Sequence, residues 1–183
     1  MTARLWTRRA ALATALAAAL PLAGCASAPT PADYARETPT FDLRSYFDGP
    51  LTAHGIFTDR SGKVTRRFTV KMTGTWTGNQ GVLDEDFTYS DGKKERRVWR
   101  LIEHGQGRYS GRADDVVGEA TGLAAGNALN WRYTLALTVE GRAWEVQFDD
   151  WMYLLDGHVV LNKAVMSKFG VTLGEVTLAF YKP

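Results

Sequence analysis

The sequence predicts a single all-β domain, an antiparallel up-and-down barrel of about 8 to 10 strands, with a β-sandwich as the second architecture. Three observations carry this expectation. Apolar residues recur at every second position over long runs, turn dipeptides of hairpin type punctuate those runs, and no segment holds a sustained helical stripe. Long strands joined by hairpins would leave exposed edges in an open sheet, and closure removes them.

The alternation is clearest where Phe68, Val70, Met72, Gly74 and Trp76 interleave with Thr69, Lys71, Thr73, Thr75 and Thr77, which places an apolar set on one face of a long strand. Trp131, Tyr133, Leu135, Leu137 and Val139 repeat the pattern, as do Trp144, Val146 and Phe148, and later Val176, Leu178 and Phe180. Between the runs stand Ser61-Gly62, Asn79-Gln80-Gly81, Asp91-Gly92, Glu140-Gly141 and Asp156-Gly157, residues suited to tight hairpin turns. Together they define expected strands near 51–59, 64–77, 82–90, 94–103, 107–113, 116–122, 128–139, 142–155, 158–166 and 173–182. Only 162–169, followed by Gly170, reads alternatively as a short helix. Gly118, Gly122 and Gly126 fall on one face of an extended chain, where they allow the sharp bend that closing a barrel needs.

The chain opens differently. Arg4, Arg8 and Arg9 have no acidic partner and precede an alanine/leucine run from Ala10 to Leu22. A basic segment followed by an apolar run of about 13 residues is an export signal, too short for a membrane span of roughly 20. It ends in Leu22-Ala23-Gly24-Cys25, which resembles the lipobox of bacterial lipoproteins. That resemblance implies cleavage before Cys25, two or three acyl chains on it, and stable anchoring to a lipid bilayer. Residues 1–24 are then a signal peptide. Arg8-Arg9 also resembles a twin-arginine signal, so the export route stays open between the two pathways. Residue 26 is Ala rather than Asp, which by the same resemblance favours the outer membrane, facing the periplasm. From Cys25 to residue 40 the chain is rich in Ala, Pro and Thr and reads as a flexible tether of about 20 Å. The barrel is expected over 41–183.

Composition narrows the function. Of 22 basic residues three lie in the signal, which leaves 19 against 20 acidic ones and a mature net charge near −1. With no basic run longer than a pair, a nucleic-acid partner is not expected. Cys25 is the only cysteine, so the mature domain has no disulfide, no zinc ribbon and no thiol nucleophile. His54, His104 and His158 stand far apart without carboxylates at metal-ligand spacing, so neither a metal nor another cofactor is expected. Gly107-Arg108-Tyr109-Ser110-Gly111 misses the nucleophile-elbow pattern by one position, and no catalytic residue is assigned.

The candidate site lies along the inward faces. Five of the six tryptophans fall within expected strands: Trp76, Trp99, Trp131, Trp144 and Trp151. Trp76, Trp99, Trp131, Tyr133, Trp144 and Phe148 either line an apolar cavity or pack as plain core. Asp150 continues the inward phase of Trp144, Val146 and Phe148, so its carboxylate needs a partner or a wet cavity. The acidic groups Asp84-Glu85-Asp86, Asp114-Asp115 and Asp149-Asp150 read chiefly as turn and ion-pair carboxylates facing Arg96, Arg97 or Arg132.

Phe47-Asp48-Gly49-Pro50-Leu51, Gly74-Thr75-Trp76, Leu83-Asp84-Glu85-Asp86-Phe87, Tyr89-Ser90-Asp91-Gly92, Arg96-Arg97-Val98-Trp99, Asp114 to Ala120, Gly126 to Trp131 and Asp149-Asp150-Trp151-Met152 together resemble a proteobacterial lipoprotein family classed as a domain of unknown function, with a lipocalin-like barrel. The resemblance brings no activity with it; what it implies is a lipid-related role in the cell envelope. The leading expectation is thus a non-enzymatic, membrane-anchored lipoprotein whose barrel binds or shields an apolar, fatty-acyl or lipid ligand. The alternatives are a filled-core protein that docks an envelope partner through its charged faces, and an enzyme that uses Asp150 or the Asp114-Asp115 pair.

Overall fold

The computed structural model describes residues 28–139 and 141–183. Cys25 and its signal, like Glu140 of the expected Glu140-Gly141 turn, lie outside the described residues. Ten antiparallel strands form one closed barrel in meander order, the last pairing with the first. They are β1 (Gly49–Asp59), β2 (Val64–Thr77), β3 (Gln80–Tyr89), β4 (Lys94–Gly105), β5 (Arg108–Arg112), β6 (Ala120–Ala125), β7 (Ala128–Val139), β8 (Arg142–Leu154), β9 (Val159–Lys168) and β10 (Val171–Tyr181). The barrel, rather than the sandwich, is therefore the architecture. β10 closes on β1 with Ala53 opposite Phe180 and Gly55 opposite Leu178.

Period-two alternation builds the interior as expected. Phe68, Val70 and Met72 of β2 are buried, as are Leu101 of β4, Val146 of β8 and Val160 and Ala164 of β9. The short helix considered for 162–169 is absent: Asn162 and Ala164 continue the inward phase of Val160, so the segment is β9. Phe169 and Gly170, both at positive φ, then make the turn into β10. The strand expected at 116–122 begins four residues later, at Ala120. Positive φ at Gly118 breaks the extended chain, and only an isolated bridge joins Val116 to Leu135 of β7. The 113–119 loop instead lies against β7, where Val117 N donates to Thr134 O and Ala136 N to Asp115 O.

Two segments outside the sheet shape the barrel end from which β1 starts. The helix α1 (Leu43–Phe47) plugs that end with Leu43, Tyr46 and Phe47 buried. The Asp42 side chain caps it by accepting from Ser45 N at 2.7 Å, and Lys182 Nζ donates to the carbonyls of Ser45, Tyr46 and Asp48. Gly74 of β2 permits this seat, since a Cβ there would collide with the Phe47 carbonyl oxygen.

The second segment corrects the expected tether. Pro31–Tyr34 forms a 3-10 turn, Tyr34 packs on Trp151 and Tyr153 with ring centroids 5.7 and 5.4 Å apart, and Phe41 N donates to Gly126 O at 2.7 Å. Residues 31–40 are thus docked on the outside of the barrel. The proline-rich composition hid Tyr34 as an anchor, and the outward Trp151 supplies its seat.

Candidate functional site

Inside the barrel lies one elongated cavity of about 670 Å³, within the range typical of small-molecule sites. α1 supplies its floor through Leu43 and Phe47, and the inward residues of the strands supply its wall. Its lining reaches the exposed Lys93, Glu95 and Thr138 at the opposite end, so the mouth lies there, beside the β3–β4 and β7–β8 turns.

Of the residues singled out from the sequence, Trp99, Trp131, Tyr133, Phe148 and Asp150 line this cavity together. Trp99 meets Trp131 and Tyr133 edge-on at 5.7 and 5.5 Å, and Tyr133 stacks on Phe148 at 4.9 Å. One wall is therefore a continuous aromatic surface of low rotamer freedom. Phe68, Val70, Met72 and Val176 provide an aliphatic and aromatic complement.

Trp76 and Trp144 are not among the lining residues. Trp76 sits near the β2–β3 turn with its ring over Gly81, where any Cβ would strike it. Trp144 is 43 % exposed and lies beneath the Lys168 ammonium, 4.4 Å from its ring centroid. β8 begins pairing with β9 only at Gln147, so Trp144 stands beyond the closed part of the barrel although its phase is inward. Alternation gives the face of a residue but not where the barrel stops.

A polar cluster interrupts the apolar wall. Glu85 on β3 lies opposite Arg97 on β4, both in the inward phase. Arg97 forks onto Asp115 of the 113–119 loop, with Nε and Nη2 at 2.9 and 2.7 Å from Oδ2. These charge-assisted bonds hold the loop across the gap between β4 and β7. Asp150 is 8 % exposed, and its Oδ1 is buried without a hydrogen-bond partner. Asn162, 2 % exposed, donates from Nδ2 to Trp151 O while its own Oδ1 is likewise without a partner.

Burial governs the titration of this cluster. Loss of water pushes the Asp150 carboxyl up to about 8, reinforced by the neighbouring Asp149 charge. The same cause lifts Glu85 to about 7, against the pull of Arg97. Tyr133 is held well above its ordinary value, again by burial first and then by Asp150. Desolvation works against the Arg97 charge, but the Glu85 and Asp115 carboxylates beside it outweigh that cost and keep it charged.

The other carboxylates take the ion-pair roles expected of them. Asp84 pairs with Arg96 and Asp149 with Arg132 on the outer surface, and the exposed Asp114 lies 3.6 Å from Arg100. His104 shares a hydrogen bond with Ser110, and His158 with the Lys182 carbonyl. Among the described residues no group of His, Cys, Asp or Glu is placed to hold a metal ion.

From the sequence Glu85 and Arg97 fall among surface ion pairs and Asn162 is not singled out, yet the signal for an inward position is present. Glu85 keeps step with Leu83 and Phe87, Arg97 with Trp99 and Leu101, and Asn162 with Val160 and Ala164. The charge of the first two favours solvent, but strand phase points them inward.

A closed ten-stranded antiparallel barrel with a plugged end, an open mouth and an apolar interior is the architecture of lipocalin-like barrels. The chain belongs to the family described as "Protein of unknown function (DUF3833)", which matches residues 19–182. No curated protein matches its sequence. Among solved structures it is similar to the S-type phycobiliprotein lyase CPES from Guillardia theta, with TM-score 0.59 and 4 % identity over 85 % of this chain and 98 % of that one. It also matches EF1p2_mFAP2b bound to DFHBI, with TM-score 0.43 and 9 % identity over 76 % of this chain and 95 % of that one. A third match is a de novo designed fluorescence-activating β-barrel, with TM-score 0.40 and 15 % identity over 78 % of this chain and 99 % of that one. At such identities the first likeness establishes the fold alone.

Proposed function

We propose that this protein is a cell-envelope lipoprotein, anchored in the outer membrane by acylated Cys25 and facing the periplasm, whose barrel takes up an apolar ligand of fatty-acyl or lipid kind. The observation that carries the binding half is the cavity of about 670 Å³, floored by α1 and walled by Trp99, Trp131, Tyr133 and Phe148. Such a hollow gains nothing from staying wet, and an acyl chain that removes its lining from water is favoured by about 25 cal/mol per Å². The role is binding or shielding rather than catalysis. The anchoring half rests on Leu22-Ala23-Gly24-Cys25 and the apolar run before it.

Two wall tryptophans supply the test. A bromine-bearing dodecanol that enters the barrel brings its heavy atom beside Trp99 or Trp131 and quenches them. Saturable quenching at a one-to-one ratio is the expected result. Quenching that rises linearly without saturation would mean surface partitioning only, and the filled-core docking role would then be the better account.

A further inference from the structure

Charge along the cavity is unevenly satisfied. Every cation on the lining already has a carboxylate partner: Arg66 with Asp91, Lys93 with Glu95, Arg96 with Asp84 and Arg97 with Asp115. Two lining acids, Glu85 and Asp150, form no salt bridge among the described residues. Among those residues a ligand anion would find no free cation within and two carboxyl groups facing it.

Hydrogen bonding is unsatisfied in the same sense. The acceptor atoms Asp150 Oδ1 and Asn162 Oδ1 are both buried, both on lining residues and both without a partner. They belong to neighbouring strands two pairing steps apart, since Asp150 lies opposite Ala164 and Met152 opposite Asn162. Leaving a buried acceptor unpaired costs about 1–3 kcal/mol each. A donor on the ligand removes that cost, whereas another acceptor does not.

Resting on the reading of this cavity as the site for an apolar chain, we infer that its occupant is an amphiphile whose polar group donates hydrogen bonds and carries no negative charge, a hydroxyl or a protonated amine, seated against Asp150 and Asn162. A free fatty-acid carboxylate is the wrong ligand. Burial already makes both unpaired acids reluctant to ionise, and a carboxylate carried into the same space would suffer the same loss of water with no free cation to offset it. The apolar tail runs along the stacked Tyr133 and Phe148 rings.

The test is a matched series, dodecanol, dodecylamine and dodecanoate, titrated at neutral pH into the full-chain protein held in amphipol and read by tryptophan fluorescence. Dodecanol or dodecylamine is expected to bind roughly tenfold or more tightly than dodecanoate, the scale of one hydrogen bond to a buried acceptor. Asp150→Leu, which keeps the branched shape without the acceptor oxygens, should remove that advantage. Asp150→Asn keeps the acceptor: retained dodecanol binding then assigns a hydroxyl head, and selective loss of dodecylamine binding assigns a cationic one. Dodecanoate binding as tightly as the others, or most tightly and lost in Arg97→Gln, would overturn the inference while leaving the cavity reading intact. Failure of all three to bind would overturn both.

Discussion

Asp150 and Glu85 give the interior a measurable pH signature. Their folded-state values are raised by burial, to about 8 and about 7, so the folded protein holds protons that the unfolded chain releases near the ordinary carboxylate range. Their contribution to stability is fully present in acid and is lost as pH rises through about 7 and then about 8. The carboxyls held low, such as Asp84 beside Arg96 and Asp42 beneath Ser45, act in the opposite sense and only at more acidic pH. Denaturant midpoints should therefore fall from mildly acidic to mildly alkaline pH. Asp150→Asn, which has no proton to lose, should flatten the upper part of that decline. A parent profile flat over this span would show that the two acids are not desolvated.

At the scale of elements, α1 is the part most exposed to test. Gly74→Ala would force a Cβ against the Phe47 carbonyl, so either β2 or the helix must move. The expected cost is about 1–3 kcal/mol, that of an overpacked core, read as a lower denaturant midpoint at unchanged slope. Asp42→Ala removes the cap on Ser45 N and the acceptor for the Tyr109 hydroxyl, and should cost about 1 kcal/mol. Legibility in the sequence divides along the same lines. The long strands announce themselves because period two persists over more than ten residues and hairpin turns bound them, as in β2 and β7. The helix Leu43–Phe47 is too short to show any period, and it forms because the open barrel end offers it an apolar seat. Val116 and Val117 look like strand residues but follow Asp114-Asp115 and precede Gly118, and tertiary pairing with β7 decided their place. Trp144 shares the phase of Val146 and Phe148 but lies outside the cavity, since strand length alone does not reveal where neighbouring strands stop pairing.

At the scale of the molecule, the plugged end and the mouth are at opposite poles. The docked segment 31–40 meets the barrel near the β6–β7 turn, on the same side as α1. The described chain therefore reaches the barrel at the end opposite the mouth. For the anchor itself, Cys25→Ser is expected to abolish incorporation of a fatty-acid probe during metabolic labelling; label equal to that of the parent would refute lipidation.

The central claim, a barrel that carries an apolar amphiphile, is tested most directly by native mass spectrometry of the protein extracted from its own membrane. The account predicts an adduct beyond the lipid-modified chain, one per barrel, released on unfolding and exchangeable with added dodecanol. A mass that matches the anchored chain alone, unchanged after exposure to dodecanol, would contradict it.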